Sequence, residues 1–246
     1  MGRPNHDWTL CPELMARRYP PASSWPSVSD IPPGMLVLDA DGVVKKKRWV
    51  YYPVSESTST VLSLPLIPAL ANDWSINVYF LDLDASVGAD QVFFWKRTLD
   101  YIRILQITRS GTDKFNFFVR TASNTLIGTS SVTPNACINK AWNVINLYRI
   151  GDTVYLSLNN GAAVSVALNN QWDTNGYSES AFFAWSPAEK PAYLAEFKQC
   201  CAGITCDHLP LDEPSGLVAR NISAPSRPGV YGENSHTEAL VPVSML

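Results

Sequence analysis

Three groups of side chains in this sequence carry atoms suited to ligand chemistry. Cys200 and Cys201, followed closely by Cys206 and His208, bring three thiols and an imidazole into one short stretch. Three sulfur ligands and one nitrogen suit tetrahedral zinc. Against zinc, adjacent cysteines on an extended chain point in opposite directions, and no Cys-x-x-Cys knuckle is present. A disulfide among Cys200, Cys201, Cys206 and Cys11, or a set of inert thiols, stays open. Asp82 and Asp84, with Asp90 beyond them, offer the hard oxygen ligands that calcium takes. Their spacing departs from the twelve-residue calcium loop, and the plainer reading is a polar strand end entering the Ser86-Val87-Gly88 loop. No resident cofactor is expected, and calcium and zinc are the two ions to test. The third group lies in the polar stretch from Asn169 to Tyr177. Trp172 and Tyr177 offer aromatic faces, and Asp173 and Asn175 offer hydrogen bonds to hydroxyls, as a carbohydrate site needs. A loop anchored by Trp172 is the alternative.

Catalysis has little to draw on. The histidines are His6, His208 and His236, all outside the strand-rich middle of the chain. No nucleophile elbow or phosphate loop is present. No strand shows the alternating carboxylates that would flank a glycosidic bond. No catalytic residue is therefore expected, and the chain is read as not an enzyme.

The charge balance narrows the partners. The net charge is -3, charged residues are 17% of the chain, and the pI is near 5.6, which gives no global attraction for nucleic acid. The run Lys45-Lys46-Lys47-Arg48 reads as a solvated strand edge or turn. A phosphate-binding patch, with Trp49, Tyr51 and Tyr52 alongside for stacking, is the alternative. No window approaches eighteen consecutive apolar residues, so no membrane span is expected. The N-terminus lacks the apolar core of a secretory signal, which predicts synthesis in a cytoplasm. The five cysteines, an odd count, then predict mostly reduced thiols.

The elements that must position these groups fall into three zones. Residues 1–47 form an extended, proline-rich N-terminal arm with one short first strand. Residues 48–200 are strand-rich. Trp74 to Phe80 alternates apolar and polar residues, as do Tyr101 to Ile107 and Lys114 to Arg120. Asn159-Asn160-Gly161 predicts a hairpin, because Asn and Gly tolerate positive φ, with Ala163 to Leu168 returning antiparallel. About eleven short strands with turn signals roughly every ten residues predict a sandwich or barrel. Residues 201–246 form an extended C-terminal arm, with Pro210, Pro214, Pro225 and Pro228 breaking regular ladders. Its apolar end, Ala239 to Leu246, needs cover from its own domain or a neighbour.

The segment from Trp142 to Gly161 resembles the concanavalin A-like, laminin-G-type jelly roll. Trp142 opens a strand, and Arg149 precedes a turn at Gly151. Tyr155, Leu156 and Leu158 then alternate up to Asn160-Gly161. The resemblance extends over about residues 48–200 and implies an all-β antiparallel jelly-roll sandwich. That superfamily includes lectins, adhesion modules, glycan hydrolases and viral or phage appendage proteins, so it does not choose a function. The arms favour a non-catalytic structural protein of a large assembly, a virion capsid-decoration, head or tail component, with homo-oligomer and virion-protein partners. A lectin-like carbohydrate-binding module is the alternative, and a glycoside hydrolase or lyase a third.

Overall fold

The computed structural model describes residues 18–52, 62–64, 73–82, 91–98, 103–109, 115–121, 123, 125–132, 141–171, 177–182, 192–201, 204–232 and 235–243. Within these, residues 64, 82, 91–98, 103–109, 177–182, 192 and 204 are described by their backbone alone. The chain divides into a small unit, Met1–Arg48 with Glu238–Leu246, and a large one, Trp49–Thr237.

The small unit is built on single 3-10 turns at Ala22–Ser24 and Val28–Asp30 and on a hairpin of β1 (Leu36–Leu38) and β2 (Val44–Tyr51). Gly42, at φ 78°, makes the tight turn between them. The basic run sits inside β2, in a strand and not in a turn. Lys45 is held by Asp39 and by Asp41, the latter at 3.1 Å. Lys47 is buried, donating to the Ser29 carbonyl at 2.8 Å and pairing with Glu238 at 2.8 Å. Two of the four cations are thus neutralised by partners within the unit and are not displayed as a phosphate patch.

The large unit is an antiparallel β-sandwich with jelly-roll crossings between its two sheets. The strands of its first sheet are β4 (Trp74–Asp82), β9 (Trp142–Ile150), β10 (Thr153–Leu158), β11 (Val164–Ala167), β13 (Ala192–Cys201) and β14 (Ile204–Leu209). They run in the order β13-β4-β9-β10-β11, with β14 on the other side of β13. Tyr51, at the end of β2, also pairs with Leu194 of β13. The second sheet holds β3 (Leu62–Leu64), β5 (Gln91–Thr98), β6 (Arg103–Arg109), β7 (Phe115–Arg120), β8 (Leu126–Ser131), β12 (Tyr177–Phe182), β15 (Val218–Ala219) and β16 (Gly229–Tyr231). Its order is β15-β16-β3-β12-β5-β6-β7-β8. From β3 to β16 the chain changes sheet between β3 and β4, β4 and β5, β8 and β9, β11 and β12, β12 and β13, and β14 and β15. A sequence of crossings of this kind defines the roll.

The strands form because their apolar residues recur every second position, so one face of each can leave water. Trp74, Ile76, Val78 and Phe80 of β4 and Ile145 and Leu147 of β9 meet Phe115, Phe117 and Val119 of β7 in one core. The Phe80 and Phe115 rings lie 6.1 Å apart across the two sheets. Each fully buried side chain of this size contributes about 1.5–3 kcal/mol. At the far edge β8 meets β11 so closely that a Cβ on Gly128 would fall 2.7 Å from Val166 Cγ1.

Two tight turns share one sequence logic. Asn159 and Asn160, at φ 52° and 57°, and Asn169 and Asn170, at 53° and 55°, each follow a buried leucine. The turns close with Gly161 N donating to Leu158 O and Gln171 N to Leu168 O. Paired left-handed residues match the twist of antiparallel strands, which is why asparagine is used.

The C-terminal stretch, expected as an extended arm needing cover, takes part in the sheets. Its backbone is extended, but it is woven into the protein's own ladders: β14 pairs β13, β15 pairs β16, and β16 pairs β3, followed by β17 (His236–Pro242). The prolines that argue against ladders fall between strands, at 210, 214, 225 and 228. There a missing N–H costs no ladder bond.

Candidate functional site

In the first sheet of the large unit, the residues that do not enter the core line its other face. Register places them in rows perpendicular to the strands. His208 lies opposite Lys198, Lys198 opposite Asn77, Asn77 opposite Asn146, and Asn146 opposite Ser157. The row therefore crosses β14, β13, β4, β9 and β10 without a break. On one side of it Glu196 stands opposite Tyr79, and Tyr79 opposite Val144. On the other side Cys200, Ser75, Tyr148, Tyr155 and Ser165 follow one another.

Hydrogen bonds fix the row. Asn77 Nδ2 donates to Asn146 Oδ1 at 2.6 Å, and Asn146 Nδ2 donates to Asn160 Oδ1 at 3.0 Å and to Ser157 Oγ at 3.4 Å. At the other end Lys198 Nζ lies 2.9 Å from Glu196 Oε1, and His208 Nε2 meets the same oxygen. Glu196 Oε2 is buried and has no hydrogen-bond partner among the described residues. Beside the row, the Tyr148 and Tyr155 rings stack at 5.0 Å with 10° between their planes.

A β-bulge puts Glu196 there. Leu194 points into the core, so strict alternation would send Glu196 the same way. Register shifts between Leu194 and Glu196, leaving Ala195 as the extra residue and setting Glu196 opposite Tyr79 on the outer face. A second bulge, at Cys206 on β14, keeps His208 on that face while Asp207 turns to the opposite one.

Asp207 anchors the His208 end of the row. It is fully buried and receives hydrogen bonds from Asn221 Nδ2 at 2.7 Å and Gln199 Nε2 at 3.4 Å, together with the Arg227 guanidinium. Asn221 Oδ1 in turn accepts from the backbone N–H groups of His208, Ser223 and Ala224. Ile222 N donates to the His208 carbonyl at 2.9 Å. The loop 221–227 thus covers the outer edge of β14, where an open strand would invite pairing with another chain. It also engages both ends of the carboxamide in the Asn221-Ile222-Ser223 sequon.

The groups singled out in the sequence are placed as follows. Trp172, Asp173 and Asn175 lie outside the described residues, and Tyr177 is described only as the backbone start of β12. Asp82 ends β4 and is likewise described by backbone alone, while Asp84 and Asp90 lie outside the described residues. Cys200, Cys201 and Cys206 are free thiols. Cys201 packs against the core, whereas Cys200 stands opposite Ser75 on the outer face. Burial, followed by the hydrogen bond to Cys206, pushes the Cys201 thiol up to about 12. Among the described residues no three His, Cys, Asp or Glu side chains gather in a way that would hold a metal ion. His208 serves the outer face with Glu196 and is split from Cys201. Cys11 and Cys137 lie outside the described residues.

Sequence reasoning did not single out Asn77, Asn146, Ser157, Lys198 or Glu196. The alternation in Trp74 to Phe80 does assign Ser75, Asn77 and Tyr79 to one face. What it lacks is the neighbour relation, since β4 pairs with strands that begin far along the chain.

No protein-family model matches the chain, and no curated protein matches it in sequence. Solved structures similar to it include the botulinum neurotoxin serotype D binding domain, with a TM-score of 0.43 and 8% identity. That match covers 67% of this chain and 45% of the neurotoxin domain, so the chain spans less than half of that domain's length. Alginate lyase A1-II′ is similar with a TM-score of 0.45 and 9% identity over 72% of this chain and 87% of its own. Chicken galectin 2 is similar with a TM-score of 0.40 and 9% identity over 58% of this chain and all of its own. Function has to be read from this chain's own residues.

Proposed function

We propose that the large unit is a non-catalytic carbohydrate-binding module whose ligand lies on the outer face of the first sheet. The observation that carries this reading is the uninterrupted polar row from His208 to Ser157, with tyrosines on both sides. Sugar hydroxyls donate and accept at once, and the half-buried carboxamides of Asn77 and Asn146 with the Lys198 ammonium and the His208 imidazole supply both roles, while Ser157 and Glu196 are buried beside them. Tyrosine faces provide large apolar area with little conformational entropy to lose. Rigid strands hold the groups in place before the ligand arrives, which lowers the cost of binding. Among the described residues of this face Glu196 is the one carboxylate, while the usual glycosidase chemistry uses two.

The test is a panel of polysaccharides presented to the wild-type protein and to Asn77→Ala and Tyr155→Ala, with circular dichroism as the check on folding. The expected result is binding by the wild type and a loss of about tenfold in each variant, the scale of one hydrogen bond or stacking contact. Binding that is unaffected in both folded variants overturns the reading, as does no binding across the panel.

A second reading is a subunit of a larger assembly, a virion coat or tail component among them. It draws on an exposed apolar edge in the large unit, where Val218 and Val230 stand opposite each other on β15 and β16, with Leu217 and Ile222 also exposed. Exposed apolar area of this kind marks contact surfaces. Light scattering tests it: a defined oligomer that Val230→Lys disperses supports the assembly, and a monomer at working concentration contradicts it.

A further inference from the structure

We propose that Cys201 and Cys206 form a reversible disulfide that clips the edge strand β14 to β13 when a small disulfide such as oxidised glutathione supplies the oxidising equivalents.

The meeting of the two thiols across the β13–β14 hairpin carries the proposal. Cys201 pairs with Ile204 at the turn, and Cys206 follows two residues later on the returning strand. Alternation along the strand sets both side chains on one side of the hairpin. A hydrogen bond between the two thiols brings their sulfurs within reach of each other. Both side chains are half-buried, and both thiols are free. A disulfide needs its sulfurs about 2.05 Å apart, which rotation of the side chains from hydrogen-bond contact supplies. Cys200 has no share in the pair. It stands on the outer face opposite Ser75, and its thiol meets Thr205 Oγ1 at 3.6 Å.

The chemistry runs in two thiol–disulfide exchanges. Burial pushes the Cys201 thiol up to about 12, so that sulfur is a poor nucleophile for the first exchange, which falls to Cys206. The Cys206 thiolate attacks one sulfur of oxidised glutathione, a mixed disulfide forms, and one glutathione leaves as its thiolate. That thiolate takes up a proton. The Cys201 sulfur then gives up its proton, attacks the Cys206 sulfur and displaces the second glutathione, which takes up a proton in turn. The two cysteines are oxidised by two electrons, and the glutathione disulfide is reduced to two thiols.

The link lies where it affects the fold of the hairpin. It closes a ring over residues 201–206, across the turn, and a covalent closure there limits the local opening to which strand ends are prone. It also adjoins the buried carboxylate of Asp207. Gln199 Nε2 lies 3.9 Å from Cys201 Sγ and 3.4 Å from Asp207 Oδ2.

The test incubates the wild type, Cys200→Ser, Cys201→Ser and Cys206→Ser with oxidised glutathione, then maps thiols and links by alkylation and fragmentation mass spectrometry. The expected result is joint loss of the Cys201 and Cys206 thiols in the wild type and in Cys200→Ser, restored by dithiothreitol. Cys206→Ser forms no link, and Cys201→Ser keeps a glutathione adduct on Cys206. The linked wild type is expected to exchange the amide hydrogens of β14 more slowly than the reduced protein. If Cys201 and Cys206 both stay open to alkylation, or if the link runs through Cys200, the pairing is overturned. A Cys201–Cys206 link that leaves β14 exchange unchanged overturns the clip.

Discussion

Asp207 shows how a single buried charge can govern a surface several residues away. Its carboxylate has lost all contact with water, and three donors replace what water supplied: Asn221, Gln199 and the Arg227 guanidinium. Removing one partner of such a set leaves the others buried and unpaired, which costs more than the hydrogen bonds contribute when intact. Asp207→Ala is expected to destabilise the protein by about 3 kcal/mol, read from the urea midpoint. Because Asn221 also holds the His208 backbone, the variant should release the 221–227 loop as well. Hydrogen exchange checks this as faster exchange at Ile222, Ser223 and Ala224. A variant with wild-type stability and unchanged exchange would mean that the loop is held elsewhere. None of this was legible in the sequence, where His208 stood out as a candidate zinc ligand beside the cysteines and Asp207 was not singled out. The pairing of Asp207 with Arg227 depends on a loop closing in space, and no local spacing announces it.

At the scale of elements, period and turn chemistry carried the most information. The alternation from Trp74 to Phe80 identifies β4, its core face and its outer face, because a strand has only two faces to assign. Asn159-Asn160-Gly161 identifies the turn through the φ values that such turns require. Two features resisted. The bulge at Ala195 reverses the alternation in the middle of β13, so a strict period would put Glu196 in the core. The prolines after position 201 suggested an arm, yet each falls between short strands whose partners lie in other parts of the chain. β3 pairs with β16 through Ser63 and Val230, a contact between distant segments that no local window contains. The consequence is testable by truncation. Loss of residues 204–246 removes β14 and uncovers one edge of β13, and it also removes β15 and β16 from the second sheet. The truncated chain is expected to lose cooperative unfolding or to aggregate, as long unpaired edges do. A truncated chain that is soluble and melts as the full chain does would show that these strands are accessories after all.

At the scale of the molecule, the two sheets have different tasks. The core between them is filled by aromatic and branched side chains, and its rigidity holds the outer rows in register. The jelly roll brings residues from β4, β9, β10, β13 and β14 onto one face, although they are scattered from Asn77 to His208 in the chain. This scatter is why the sequence drew attention to compact clusters such as Cys200 to His208, while the polar row exists only once five strands are side by side. The fold class, in contrast, was readable, since strand length, alternation and turn residues repeat along most of the chain. The decisive measurement is direct binding of the polysaccharide selected by the panel to wild-type and Asn77→Ala protein side by side, with both shown to be folded. Saturable binding by the wild type that weakens about tenfold in the variant is predicted for a ligand on the outer sheet face. Equal affinity of the two proteins would place the ligand elsewhere and contradict it.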